Sequence, residues 1–172
     1  MKRVVVNDAS VLIDLIDLDL LSSFFTLPFD FHLPYVIFES ELYESQQKSL
    51  EQIIDEGGLI LQHLSHDEVL SVYEIQKIKP KLSYIDIAAF LITRRLNATL
   101  LTSDQTLAKY ARNENQSAHG ILWIFDQLRE HSALEPGDAI IKLERLLSQN
   151  PWFAPPHAEI DKRINEWRSE LK

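Results

Sequence analysis

At 172 residues, with 45% hydrophobic and 25% charged content, the chain is long enough for one buried core and too short for two independent ones. The absence of cysteine excludes disulfides and thiolate-held zinc or iron–sulfur clusters. A balance of 17 Lys+Arg against 26 Asp+Glu leaves −9, the reverse of the basic face by which proteins grip nucleic-acid backbones, so any such binding is expected to be weak unless bound metal offsets the charge.

Met1, Lys2 and Arg3 are followed by only three valines before Asn7 and Asp8, which is no signal-peptide pattern. No apolar run approaches the roughly 18 residues that would suggest a membrane span. A cytoplasmic protein without membrane contact is the expectation.

Val4 to Val6 is a β-branched run that reads as a buried strand, and Asp8 follows it. Ser10 is expected to cap a helix whose Val11, Leu12, Leu15 and Leu18 share one stripe. Pro28 and Pro34 mark a loop. A helix from about Val36 to Lys48 then turns Val36, Ile37 and Leu42 inward and sets Glu39 and Glu41 on different faces. Gly57 and Gly58 stop the next helix, and Leu59 to Leu61 forms a second strand. His66 to Lys79 is helical until Pro80. Ser83 opens a helix carrying Ile87, Ala88, Leu91 and Ile92, Asn97 ends it, and Thr99 to Thr102 is a third strand. Asp104 leads into a helix from Gln105 to Arg112. Strands alternating with helices predict a parallel sheet covered on both faces, with its functional crevice at the carboxyl ends of the strands.

The rest reads as helical, from Ile121 to His131 and from Gly137 to Gln149, with Asn150-Pro151 and Pro155-Pro156 as a break. From His157 onward Ile160, Ile164, Trp167 and Leu171 repeat at helical spacing, a stripe expected to pack back on the domain. The chain therefore divides into a domain over residues 1–135 and a C-terminal helical extension over residues 136–172. Two basic clusters, Lys77, Lys79 and Lys81 in one and Arg94 and Arg95 in the other, read as solvated surface.

Asp8, Glu41, Asp86 and Asp104 each stand where a strand hands over to a helix or early in a helix, positions that an α/β sheet gathers into one pocket. Clustered carboxylates raise one another's pKa unless a divalent cation neutralises them, and hard cations prefer carboxylate oxygen. Each acid also has a plain structural role available. Ser83-Tyr84-Ile85-Asp86 has the form of a capping box, Asp104 can cap its own helix, Asp8 can form an Asx-turn and Glu41 can be solvated. The histidines show no metal spacing, and there is no Walker loop, H-E-x-x-H helix or G-x-S-x-G elbow.

Val4-Val5-Val6-Asn7-Asp8-Ala9-Ser10, Glu41-Leu42, Leu82-Ser83-Tyr84-Ile85-Asp86-Ile87-Ala88-Ala89 and Leu100-Leu101-Thr102-Ser103-Asp104-Gln105-Thr106-Leu107 together resemble the four motifs of the PIN domain family, whose bacterial members include the VapC-like toxins of toxin–antitoxin pairs. The resemblance covers about residues 1 to 130. It implies a three-layer α/β/α fold around a central parallel sheet, one or two Mg²⁺ or Mn²⁺ ions, and cleavage of single-stranded RNA. Asp8, Asp86 and Asp104 would hold the metal and Glu41 would complete the acidic ring, with Glu39 the alternative to Glu41. Thr102 and Ser103 would hydrogen-bond a ligand carboxylate or a phosphate. An antitoxin partner and a homodimer are further expectations. The segment after about Gly137 exceeds what the motifs cover.

A catalytically inactive PIN-like module that binds metal or a partner is the alternative, and −9 is consistent with it. A phosphorelay receiver would need further acids and a late lysine that this chain does not supply. A haloacid-dehalogenase-like phosphatase would need an acid where Ser10 stands.

Overall fold

Val5 and Val6 are completely buried, and the strand that holds them, β1 (Arg3–Asn7), hydrogen-bonds to a neighbour on each side. A strand with no exposed edge must present apolar side chains to both faces of its sheet, which a valine run does. The computed structural model describes residues 2–150 and 156–171. Around β1 lie β2 (Phe29–Pro34), β3 (Ile60–Gln62), β4 (Thr99–Leu101) and β5 (Ala118–His119), all parallel, in the order β3-β2-β1-β4-β5. The chain thus builds outward from β1 to one side and later returns to β1's other side. A crevice opens where that direction changes, between the carboxyl ends of β1 and β4.

Helices cover both faces, giving the expected three-layer α/β/α architecture. One face is covered by α6 (Tyr84–Arg95), which touches β1, β2 and β4 and is flanked by α5 (His66–Ile78). Ser83 and Asp86 form the capping box that starts α6, and seven consecutive residues from Ile87 to Thr93 are buried. Such a helix is apolar all round because its other side is covered too. It ends at Asn97, whose φ of 48° is the left-handed conformation that asparagine tolerates.

The opposite face carries Phe29 and Phe31 of β2. Phe31 packs on Phe24 and Phe25 of α2 (Leu21–Phe25), with ring centroids 4.8 Å apart in each pair, and Phe29 stacks on Trp123 of α8 (Ile121–Glu130) at 5.8 Å. The segment between Pro28 and Pro34 is therefore a strand and not a loop. Its alternation Phe29-Asp30-Phe31-His32-Leu33 has period two, and Pro34 is tolerated because it stands at the strand's last residue.

Other boundaries also differ from the sequence reading. The single helix expected from Val36 to Lys48 is two, α3 (Tyr35–Ser40) and α4 (Glu44–Asp55), interrupted at Glu41 to Tyr43. β5 is too short to show in a pattern, being two residues long. Gly57 ends α4 with φ of 75°, as its position predicts. Helix α1 (Ala9–Asp17) begins one residue before Ser10, so Ser10 lies inside it and does not cap it. α7 (Gln105–Asn113) follows β4 closely.

The last helices are α9 (Pro136–Gln149) and α10 (His157–Ser169). Trp167 is 4% exposed and its ring stacks on Phe125 at 6.0 Å, while the Arg163 guanidinium donates twice to the Asp126 carboxylate, at 2.8 and 2.6 Å. Arg129 also pairs with Glu170. Of the stripe read from the sequence, Ile160 and Trp167 are buried, Ile164 is half-buried and Leu171 is exposed. Pro151 and Pro155, on which the expected break depends, lie outside the described residues. Among the described residues, no helix is long and apolar enough to cross a membrane. Trp167→Ala is expected to cost about 3 kcal/mol, since it removes a large buried ring beside Phe125; urea unfolding monitored by far-UV circular dichroism measures this, and a change under about 0.5 kcal/mol would show that α10 contributes little.

Candidate functional site

Asp8 follows the last residue of β1, and its backbone N–H donates to Leu101 O at 2.9 Å, which ties it to the end of β4. Its side chain is 5% exposed. The carboxylate does not cap α1. Instead Oδ2 accepts from Thr102 Oγ1 at 2.7 Å and from Ser10 Oγ at 2.8 Å. The Thr102 hydroxyl also accepts from Asp104 N at 3.0 Å, and Ser10 Oγ accepts from Ser103 N at 3.0 Å. Two hydroxyls thus lock the β1 end to the β4–α7 turn. Thr102 hydrogen-bonds an acid as expected; Ser103 contributes its backbone N–H instead.

Burial raises the Asp8 pKa, Thr102 and Ser10 counter it by bonding the charged form, and the Asp86 charge raises it again. Glu41 is also raised, first by partial desolvation and then by Asp8 and Asp86. These three carboxylates therefore face one region. Glu41 stands just beyond the last residue of α3, a correction to its expected place in the first turns of a longer helix. The helix that precedes it is short, running only from Tyr35 to Ser40, and the Glu41 N–H donates to Ile37 O at 3.0 Å as its C-terminal cap.

Asp86 and Asp104 both have the capping roles that their sequence positions allow. Asp86 Oδ2 accepts from Ser83 N at 2.7 Å. Asp104 Oδ1 accepts from Thr106 N at 2.6 Å and Leu107 N at 2.9 Å. In each case one oxygen is engaged, and among the described residues no hydrogen bond involves Asp86 Oδ1 or Asp104 Oδ2. Among the described residues, no three His, Cys, Asp or Glu side chains form a group that could hold a metal ion as they stand. The donor chemistry, all carboxylate oxygen, suits a hard divalent cation; the side chains are not drawn in around one.

Asp14 escaped the sequence reading. It lies one turn beyond Ser10 in α1 and is 8% exposed, with Oδ2 lacking a hydrogen-bond partner and Oδ1 accepting weakly from Asn150 Nδ2 at 3.4 Å. Burial pushes its pKa up to about 6, with Asp17 adding to the rise and Asn150 and Ser103 opposing it. The signal was an acid between the apolar Leu12 and Leu15 of the inward stripe. A cleft of about 940 Å³ opens beside it, lined by Ser10, Ser103, Asp104, Arg112, His119 and Trp123. His119 stacks on Trp123 with centroids 4.7 Å apart.

The family model DUF3368, described as a PIN domain, matches residues 4–166. The chain belongs to the PIN domain family. PIN domains are generally nucleases, so the hydrolase class follows at that coarse level, and they typically bind divalent metals. The match runs beyond the four motifs through α9 and most of α10. No curated protein matches the chain.

The raised carboxyl groups give this PIN domain a pH-dependent stability of definite sign. Asp14 binds a proton more tightly folded than unfolded, so its contribution is full below about pH 4 and is lost as pH rises through about 6. Asp8 and Glu41 act in the same direction. In chelator the melting temperature is expected to fall between pH 5 and pH 7. Asp14→Asn is expected to flatten that slope and to stabilise the protein at pH 7.5 by about 1–2 kcal/mol, after allowance for solvent screening. Thermal melts across pH measure both, and an unchanged slope in the variant would assign the effect elsewhere.

Proposed function

We propose that this PIN domain is a metal-dependent ribonuclease that cuts single-stranded RNA, with Asp8, Glu41, Asp86 and Asp104 holding Mg²⁺ or Mn²⁺. The observation that carries the reading is the convergence of three acids: the Asp86 charge raises the pKa of buried Asp8, and Asp8 and Asp86 together raise that of half-covered Glu41, a cost that a divalent cation would offset. Glu41 is favoured over Glu39 because Asp8 and Asp86 act on it. Capping and ligation are compatible, since Asp86 and Asp104 each use one carboxylate oxygen on the helix and keep the other for an ion.

A bound ion would lower the pKa of a water for attack on a phosphodiester and offset charge on the leaving oxygen. The chain's own residues do the positioning. Thr102 and Ser10 fix the orientation of the Asp8 carboxylate and favour its charged form, which is the form that binds a cation. Ser83 holds Asp86 at the first turn of α6, and the amides of Thr106 and Leu107 hold Asp104. The cleft bounded by Ser103, His119 and Trp123 gives a strand an approach to Asp104, and Ser10, which bonds Asp8, also lines it.

A second reading, a PIN-like module that binds metal or a partner without cutting, is supported by the −9 charge. Cleavage of a mixed single-stranded RNA pool separates the two. Wild type with Mn²⁺ or Mg²⁺ is expected to cut, and chelator, Asp8→Asn or Asp86→Asn, purified identically, is expected to abolish cutting while leaving the fold as stable or more so. Metal binding by calorimetry without cutting would favour the inactive module. Thr102→Val is expected to weaken Mn²⁺ binding by about 10–100-fold, because it removes the bond that orients Asp8; a titration at fixed pH measures this, and unchanged affinity would remove Thr102 from the site.

A further inference from the structure

The lysines of this acidic chain are not evenly compensated. Lys2, Lys48, Lys77 and Lys162 each face a carboxylate, and Lys142 donates to Leu18 O. Among the described residues, Lys79, Lys81 and Lys109 make no ion pair, and all three line a single pocket of about 310 Å³. Its floor is apolar, formed by Ile78, Pro80, Leu82 and Tyr110. The Tyr110 ring is held from behind by Phe90 of α6, with centroids 4.8 Å apart.

The position of this pocket matters as much as its charge. Its wall includes Leu82, the residue before the Ser83 that caps Asp86, and Thr106, whose amide bonds Asp104. It therefore lies along α7, between that helix and the turn joining α5 to α6, with Leu82 and Thr106 bringing its lining close in the chain to Asp86 and Asp104. The wider cleft with Ser103, His119 and Trp123 also reaches Asp104 and Gln105.

We propose that the Lys79, Lys81 and Lys109 pocket is a subsite for single-stranded RNA, with the apolar floor taking one base and the lysines the flanking phosphates. The proposal rests on the nuclease reading and adds where the strand is held. It resolves the difficulty posed by −9: repulsion from the chain as a whole is met by positive charge concentrated beside the acids. An apolar floor that includes the Tyr110 ring is a sequence-tolerant base platform. The same chemistry could seat an acidic peptide with an apolar side chain, but adjacency to two acids of the site favours the nucleic acid.

The test is binding of a labelled ten-nucleotide single-stranded RNA, in chelator so that nothing is cut, to wild type and to a Lys79→Ala, Lys81→Ala, Lys109→Ala triple variant whose fold is checked by circular dichroism. Loss of three phosphate contacts is expected to reduce the salt exponent by about 2, so that between 50 and 200 mM salt the wild-type affinity falls about 20-fold more than that of the variant. A duplex of the same length, with its bases unavailable, is expected to bind wild type at least about tenfold more weakly. Equal affinity and equal salt dependence in the triple variant overturn the subsite while leaving the nuclease reading intact if wild type still cuts. Absence of both binding and cutting by wild type overturns both. Binding of a Glu/Leu-rich peptide that the triple variant loses, with RNA binding unchanged, makes the pocket a protein-docking surface instead.

Discussion

The pairing of Asp8 with Thr102 is the constraint on which the rest of the site depends. A carboxylate 5% exposed would be driven to its neutral form unless hydroxyls bonded its charge, and the Thr102 and Ser10 hydroxyls do so from two different elements. Because Thr102 also accepts from the amide of Asp104, the geometry of one acid is transmitted to the turn that carries another. The sheet order sets this up, since β1 and β4 are neighbours at the point where the chain changes direction. Asp8 is therefore both a group whose burial raises its pKa and one whose placement ties the β1 end to the turn that carries Asp104.

Helix capping and the proposed ion binding draw on the same residues in this fold. Asp86 and Asp104 occupy helix N-termini, where the backbone amides and the dipole favour a negative charge before any cation is present. The two roles are complementary. The helix holds each acid in place with one oxygen, so that a cation meets a preset donor and not a free side chain. Glu41 has no such anchor, being at the end of a short helix, and it is the member of the set that must be positioned by α3 and the turn after it.

Much of this was legible in the sequence, for identifiable reasons. The strand of valines, the Ser83–Asp86 box and the Thr102-to-Asp104 turn are local signals in which each residue's chemistry matches its neighbours, and the structure has them. β2 was hidden because Pro28 and Pro34 outweighed the alternation of phenylalanines between them. β5 was hidden by its length, and the break at Glu41 by an apolar spacing, Val36, Ile37 and Leu42, that continues through a non-helical turn. Asp14 was hidden for another reason: its place between Leu12 and Leu15 marks it as inward-facing, but its environment is made by Ser103 and Asn150, far away in sequence. Lys79 and Lys81 read with Lys77 as solvated surface in the sequence, and no local pattern joins Lys109 to them, because only the packing of α7 beside the α5–α6 turn puts the three in one pocket.

The bond from Thr102 to Asp8 spans 94 positions of sequence. Contacts of that separation form only after the intervening chain has been ordered, and parallel pairings such as that of β1 with β4 are among the slowest to assemble. The first and last acids of the set are consequently strangers in any partly folded chain. An incompletely folded copy has no assembled acidic centre, so that the nuclease activity proposed for it would be withheld until the sheet has closed around β1.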